Sequence, residues 1–160
     1  MEPIITILTV LSMYLSAAQN VGGEYYYNAE INDGIVTAIY VYDQTDEGLT
    51  PKLVCHYDYD SRGRLIEKEV SSWNSWKREY QPTYRLQMSY TSDGYELAHS
   101  VWSNKRQQWT ESGEKMMYHI DNGQVLSVSY LQKNNNGDYS INSHMKVVDP
   151  YQELLLTIGK

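Results

Sequence analysis

The chain has 160 residues and a net charge of −7, enough for one domain with a modest core. No long acidic run and no basic cluster stands out along the sequence, which argues against a nucleic-acid partner. A single cysteine, Cys55, excludes an internal disulfide and any multi-cysteine metal site.

Residues 1–18 differ from the rest. An uncharged apolar stretch from Ile4 to Leu15 is followed by Ser16-Ala17-Ala18, a small-x-small cleavage pattern. The stretch is short for a bilayer span. It predicts a secretory signal peptide over residues 1–18, cut after Ala18, although Met1-Glu2-Pro3 lacks the usual Lys or Arg. A buried N-terminal strand or helix is the competing reading. No cysteine stands directly after the cleavage point, so the product is expected in the periplasm or released, without a lipid anchor and without membrane insertion.

Residues 19–160 form the expected mature domain, and their composition is unusual: 16 Tyr in the whole chain and no Phe. Tyr keeps a polar tip that wants water or a partner, so a thin sheet with half-wet faces is expected. Turn glycines recur along it. Gly34, Gly63, Gly94 and Gly123 each follow a Tyr-bearing run and precede apolar residues. A fixed period of this kind signals a repeat architecture.

The first turn, Asp33-Gly34, suits a two-residue hairpin and predicts the pairs Ile31–Val36, Ala29–Ala38, Tyr27–Tyr40 and Tyr25–Tyr42. Ser61-Arg62-Gly63 suits a three-residue loop with Gly63 in the left-handed region, pairing Tyr59 with Leu65 and Tyr57 with Glu67. Asp93-Gly94 places Tyr90, Met88 and Leu86 with Leu97, His99 and Val101 on one apolar face. Asp121-Asn122-Gly123 reads as a three-residue loop, with Tyr118 facing Leu126 and Met116 facing Val128. Return loops lie at residues 43–51, 71–82, 103–107 and 133–138, and a last strand is expected over residues 153–158. The prediction is all-β: an antiparallel meander of about ten strands in four hairpin repeats, forming an open curved or single-layer sheet.

The run Tyr57-Asp58-Tyr59-Asp60-Ser61-Arg62-Gly63-Arg64-Leu65 resembles the YD repeat of RHS-type secreted and toxin-shell proteins, whose core is Tyr-Asp-x-x-Gly-Arg-Leu. The third unit keeps Tyr90, Asp93, Gly94 and Leu97, and the fourth keeps Tyr118, Asp121, Gly123 and Val125. The whole chain, with its leader, Trp-Asn loops and Leu-Leu-Leu-Thr-Ile ending, resembles a small family of exported proteins of unknown function from Bacteroides-type gut bacteria. The first resemblance implies an extended β-meander. The second implies export and no particular activity.

All four tryptophans, Trp73, Trp76, Trp102 and Trp109, flank the return loops of the second and third units. In a meander those loops share one end of the sheet, so the rings form a candidate stacking edge for glycan or protein, beside Asn74, Asn104, Arg106 and Gln108. The alternative is that Trp102 and Trp109 clamp their own hairpin as a cross-strand pair. His56, Asp58 and Asp60 alternate along one strand face and could ligate a divalent ion, although such a set is ordinarily a solvated surface. Cys55, within an alternating strand, reads as a small buried hydrophobe.

No nucleophile elbow, zinc-protease helix, phosphate loop or dinucleotide fingerprint occurs. No acidic pair is marked out for glycoside hydrolysis, and His56, His99, His119 and His144 stand in no catalytic pattern. The expected protein is not an enzyme and needs no cofactor or metal. It is an exported binding module for glycan or protein. The alternatives are a structural repeat self-associating through its sheet edges and a small glycan-active enzyme.

Overall fold

The computed structural model describes residues 4–19 and 23–146. Among the described residues one helix, α1 (Ile7–Ala18), precedes nine strands: β1 (Tyr25–Asn32), β2 (Ile35–Thr45), β3 (Gly48–Tyr59), β4 (Leu65–Asn74), β5 (Glu79–Thr91), β6 (Gly94–Ser103), β7 (Gln108–Asp121), β8 (Gln124–Lys133) and β9 (Tyr139–Lys146). They form one antiparallel sheet in which every strand neighbours its successor in the chain, the order running from β1 to β9. The expected all-β meander is therefore present, and its order is open. The strand expected over residues 153–158 lies outside the described residues.

The turn glycines do the work their spacing implied, but the strand registers differ from simple alternation. At the first turn Asp33 (φ 50°) and Gly34 (φ 78°) form the two-residue loop, and Ile31 faces Val36 as expected. Thr37 is then left over, so Ala29 faces Ile39, Tyr27 faces Val41 and Tyr25 faces Asp43, not Ala38, Tyr40 and Tyr42. At the second turn Tyr59 faces Leu65 as expected, but Ile66 is left over and Tyr57 faces Lys68, not Glu67. The fourth turn has two residues rather than three: Asp121 closes on Gln124 around Asn122-Gly123. Leu126 is left over there, so Tyr118 faces Val128 and Met116 faces Tyr130.

One irregularity runs through all three departures, joined at the fourth turn by the shorter loop. The surplus residue, Thr37, Ile66 or Leu126, stands three places past its turn glycine each time. It is a β-bulge, which raises the local right-handed twist and slides every later pair by one. The repeat seen in the glycines thus extends to the irregularities of the backbone.

The chain divides into two compact units. Of the described residues, one takes those within 5–85 and 101–109; the other takes 86–100 and 110–146 together with Ile4. In the first, Val36, Ala38, Val54, Leu65 and Val70 are buried between strands that present apolar residues at alternate positions. Here α1 packs against β1 and β2, burying Val10. It starts at a capping box in which the Thr6 and Thr9 hydroxyls serve each other's backbone N–H groups. Just before the helix the chain adds itself to the β3–β4 loop. Ile7 N donates to Gly63 O at 3.0 Å, Leu65 N donates to Ile5 O at 2.8 Å, and Thr6 bridges Arg64. The segment expected as a leader is therefore an ordered part of this unit.

In the other unit the core is Leu86, Met88, Leu97, Val125, Val128 and a tyrosine stack, Tyr95 lying parallel to Tyr118 at 4.6 Å with Tyr90 tilted against Tyr95 at 5.8 Å. Most other tyrosines are half-buried, as the composition implied.

Candidate functional site

The four tryptophans all belong to the first unit, at the loops joining β4 to β5 and β6 to β7. The two loops share one design. Each has four residues, 75–78 and 104–107, and each ends on a residue in the left-handed region, Arg78 (φ 54°) or Gln107 (φ 52°). A polar side chain at the last strand position ties the turn down. Asn74 Oδ1 accepts from Trp76 N at 3.0 Å and Lys77 N at 3.1 Å; Ser103 Oγ accepts from Arg106 N at 3.3 Å.

The aromatic residues also correspond. Trp73 meets Tyr80 edge to face (centroids 4.9 Å, 67°), and Trp102 meets Trp109 likewise (5.1 Å, 74°). Each pair spans its own loop, with partners seven residues apart. The clamp reading proposed for Trp102 and Trp109 is realised, and Trp73 forms a second clamp with a partner the sequence reading did not name. The matching spacings Trp73-x6-Tyr80 and Trp102-x6-Trp109 were the signal available for it.

Both clamps are braced. Tyr40 stands 6.0 Å from Tyr80, with its hydroxyl donating to Glu30 at 2.8 Å. That hydrogen bond, followed by burial, holds the Tyr40 phenol above its ordinary pKa. On the other side the Arg85 guanidinium lies 4.9 Å over the Trp109 ring, with Glu67 3.8 Å away. Glu67, Arg85, Trp109 and Trp102 thus form a chain leading to the surface.

A groove of about 520 Å³, open to solvent, is lined from both loops. Its walls include Trp73, Trp76 and Trp102 together with the amides of Asn74, Gln81 and Asn104. Asn74 Nδ2 donates to Gln81 Oε1 at 2.9 Å, which fixes the amide edge. Val101, expected on the apolar face, is instead 44% exposed and forms part of the groove wall. Trp76 has no clamp and is 96% exposed, although its backbone is pinned. Trp109 is not a wall residue; it supports Trp102 from behind.

The His56, Asp58 and Asp60 set is not assembled into a site. His56 and Asp58 are exposed, whereas the Asp60 carboxylate turns into its own loop. There it accepts from Arg62 N at 2.9 Å, Arg64 N at 3.0 Å and Arg64 Nε at 2.7 Å. These contacts, the Arg64 backbone first, hold its carboxyl below the usual aspartate range. Among the described residues no group of three or more His, Cys, Asp or Glu is placed to hold a metal ion. Cys55 is buried, and burial raises its thiol pKa, as fits a small core residue.

Fold and groove together define an antiparallel β-meander repeat protein with an aromatic–amide groove at one pair of return loops. The chain belongs to the DUF3836 family, a family of unknown function whose profile matches residues 2–121. Solved structures agree on the fold. A protein of unknown function from Bacteroides fragilis superposes with a TM-score of 0.68 at 20% identity, over 81% of this chain and 96% of that one. DUF3836 proteins from Bacteroides vulgatus and Parabacteroides distasonis give TM-scores of 0.53 and 0.54 at 22% and 20% identity. They cover 56% and 61% of this chain, and 91% and 92% of their own. No curated protein matches the chain.

Proposed function

We propose that this protein is an exported, non-catalytic binding module that takes a glycan in the groove walled by Trp73, Trp76 and Trp102. The observation that carries this reading is Trp76. Its indole is 96% exposed while Asn74 holds its backbone in place. A large apolar ring left in water on a pinned loop keeps its burial free energy available to a ligand that covers it. Flat aromatic faces next to fixed amides suit a sugar, whose apolar ring face and equatorial hydroxyls need both. Among the described residues the groove lining holds no pair of carboxylates, and the nearby Glu79 is engaged by Gln81 at 3.3 Å, which supports binding over glycoside hydrolysis.

Export rests on the apolar leader and its Ser16-Ala17-Ala18 sequence. Leu15, Ser16, Ala18 and Gln19 are exposed, which leaves the expected cleavage point accessible. The likeness of residues 57–65 to the YD repeat of secreted proteins fits the same compartment. A second reading is assembly through sheet edges, favoured by exposed apolar side chains on β9, the last strand of the order among the described residues, where Ile141 is 66% exposed.

The test is tryptophan fluorescence with acrylamide quenching, alone and against a glycan panel. One glycan should shift the emission and protect Trp76, and Trp76→Ala should abolish that response without lowering the melting temperature. Emission indifferent to every glycan would remove the reading.

A further inference from the structure

Among the described residues no charged side chain lines the groove; Glu79 Oε1 accepts from the groove residue Gln81 at 3.3 Å, and the two loops beside the groove are basic. The two loops, residues 75–78 and 104–107, read Ser-Trp-Lys-Arg and Asn-Lys-Arg-Gln. Those eight positions hold Lys77, Arg78, Lys105 and Arg106, four of the chain's 13 basic residues, and no acid. The whole chain is acidic, with 20 Asp and Glu.

These four cations differ in how they are used from five others of the chain. Lys52, Arg64, Arg85, Lys115 and Lys133 each stand within ion-pair distance of an Asp or Glu. All four loop residues are exposed, and none enters an ion pair among the described residues. Lys77 directly follows the groove residue Trp76, and Lys105 directly follows the groove residue Asn104. The pinning of the turns fixes where these cations start from the backbone. Four unpaired cations beside one aromatic groove in an acidic protein concentrate positive potential there.

We infer that the ligand is an acidic polysaccharide, carrying carboxylate or sulfate groups along a chain of sugar rings. This rests on the glycan reading above and specifies it. The sugar faces stack on Trp76 and the clamped Trp102. The anions meet Lys77, Arg78, Lys105 and Arg106, the two arginines offering the planar fork that suits oxyanions. The amides of Asn74, Gln81 and Asn104 take hydroxyls between them.

The experiment titrates the full chain with four probes: a polyuronate, a sulfated glycosaminoglycan, a neutral glucan and vesicles of anionic phospholipid. It is repeated on Trp76→Ala and on the quadruple variant Lys77→Gln, Arg78→Gln, Lys105→Gln and Arg106→Gln, with melting temperatures recorded for each. The expected result is binding of one or both acidic polymers and not of the glucan. Affinity should fall by about tenfold or more as salt shortens the screening length from about 30 Å at about 0.01 M to about 3 Å at about 1 M. The quadruple variant should lose about tenfold or more in affinity at low salt with its melting temperature unchanged, and Trp76→Ala should lose the fluorescence response. The polyuronate and sulfated arms then tell which anion is read. Salt-independent binding of the glucan, equal in the quadruple variant, overturns the charge inference and leaves the groove reading standing. Binding of the vesicles and of no polymer overturns it in favour of a lipid surface. Response to none of the probes, with Trp76→Ala indistinguishable from the parent, overturns both readings.

Discussion

Asp60 shows how a short motif sets a turn. Its carboxylate gathers two backbone N–H groups and the Arg64 side chain, while Gly63 (φ 74°) supplies the left-handed step and Leu65, 0% exposed, anchors the next strand. Because the folded carboxyl is held below its ordinary value, Asp60 contributes stability above the unfolded aspartate pKa of about 3.9. That contribution fades as pH falls through the folded pKa. Asp60→Asn should therefore melt lower than the parent at neutral pH, with the gap closing below about pH 4; a gap that stays constant into acid would contradict this account. Two glycines make a paired prediction. A Cβ on Gly94 (φ 151°) would overlap the carbonyl oxygen of Tyr118, while one on Gly123 (φ 76°) meets open space. Gly94→Ala should cost roughly 3 kcal/mol or more. Gly123→Ala should cost only the positive-φ penalty of about 1–2 kcal/mol. Denaturant midpoints of the two variants decide it, and equal losses would refute the close approach.

The hairpins and return loops are the elements that repeat. At the turn ends of the first, second and fourth hairpins, glycine plus a bulge three residues on sets the twist. At two of the return ends, 75–78 and 104–107, a four-residue loop closed by an edge-to-face aromatic pair does the equivalent work. The three paired tryptophans and the one unpaired tryptophan should then separate in experiment. Trp109→Leu removes a ring contact worth about 0.5–1.5 kcal/mol beyond its buried area and the platform under Arg85, so it should lower stability visibly. Trp76→Ala, at an exposed site, should stay within about 0.5 kcal/mol of the parent. A double-mutant cycle on Trp102 and Trp109 should return a coupling of about 0.5–1.5 kcal/mol. A coupling near zero would mean that the clamp does not hold the loop.

At the scale of the whole molecule, the N-terminal segment links fold and localisation. In the full chain Leu65 N donates to Ile5 O, and Val10 of α1 is 1% exposed. Cleavage after Ala18 would remove both contacts. Protein recovered from the exported fraction should begin at Gln19 by mass spectrometry; recovery with an intact Met1 would refute cleavage. In the processed chain the Leu65 amide should exchange faster with solvent than in the full chain, since its acceptor is gone. Unchanged exchange would mean that another group of the protein satisfies that amide.

The sequence alone determined the repeat, the antiparallel meander, the positions of the turns and the four tryptophans of the return loops. Each has a local chemical cause: glycine and asparagine permit positive φ, alternation marks a half-buried strand, and return loops break both patterns. It did not determine the registers, because a bulge adds one residue without any mark in composition. Nor could it show that Asp60 serves its own loop rather than an ion, or that Trp73 clamps on Tyr80. The basic residues make the difference plainest. Lys77-Arg78 and Lys105-Arg106 are two unremarkable pairs along the chain, far apart in number. Only the pairing of strands, a long-range arrangement held by backbone hydrogen bonds, brings their two loops to the same groove.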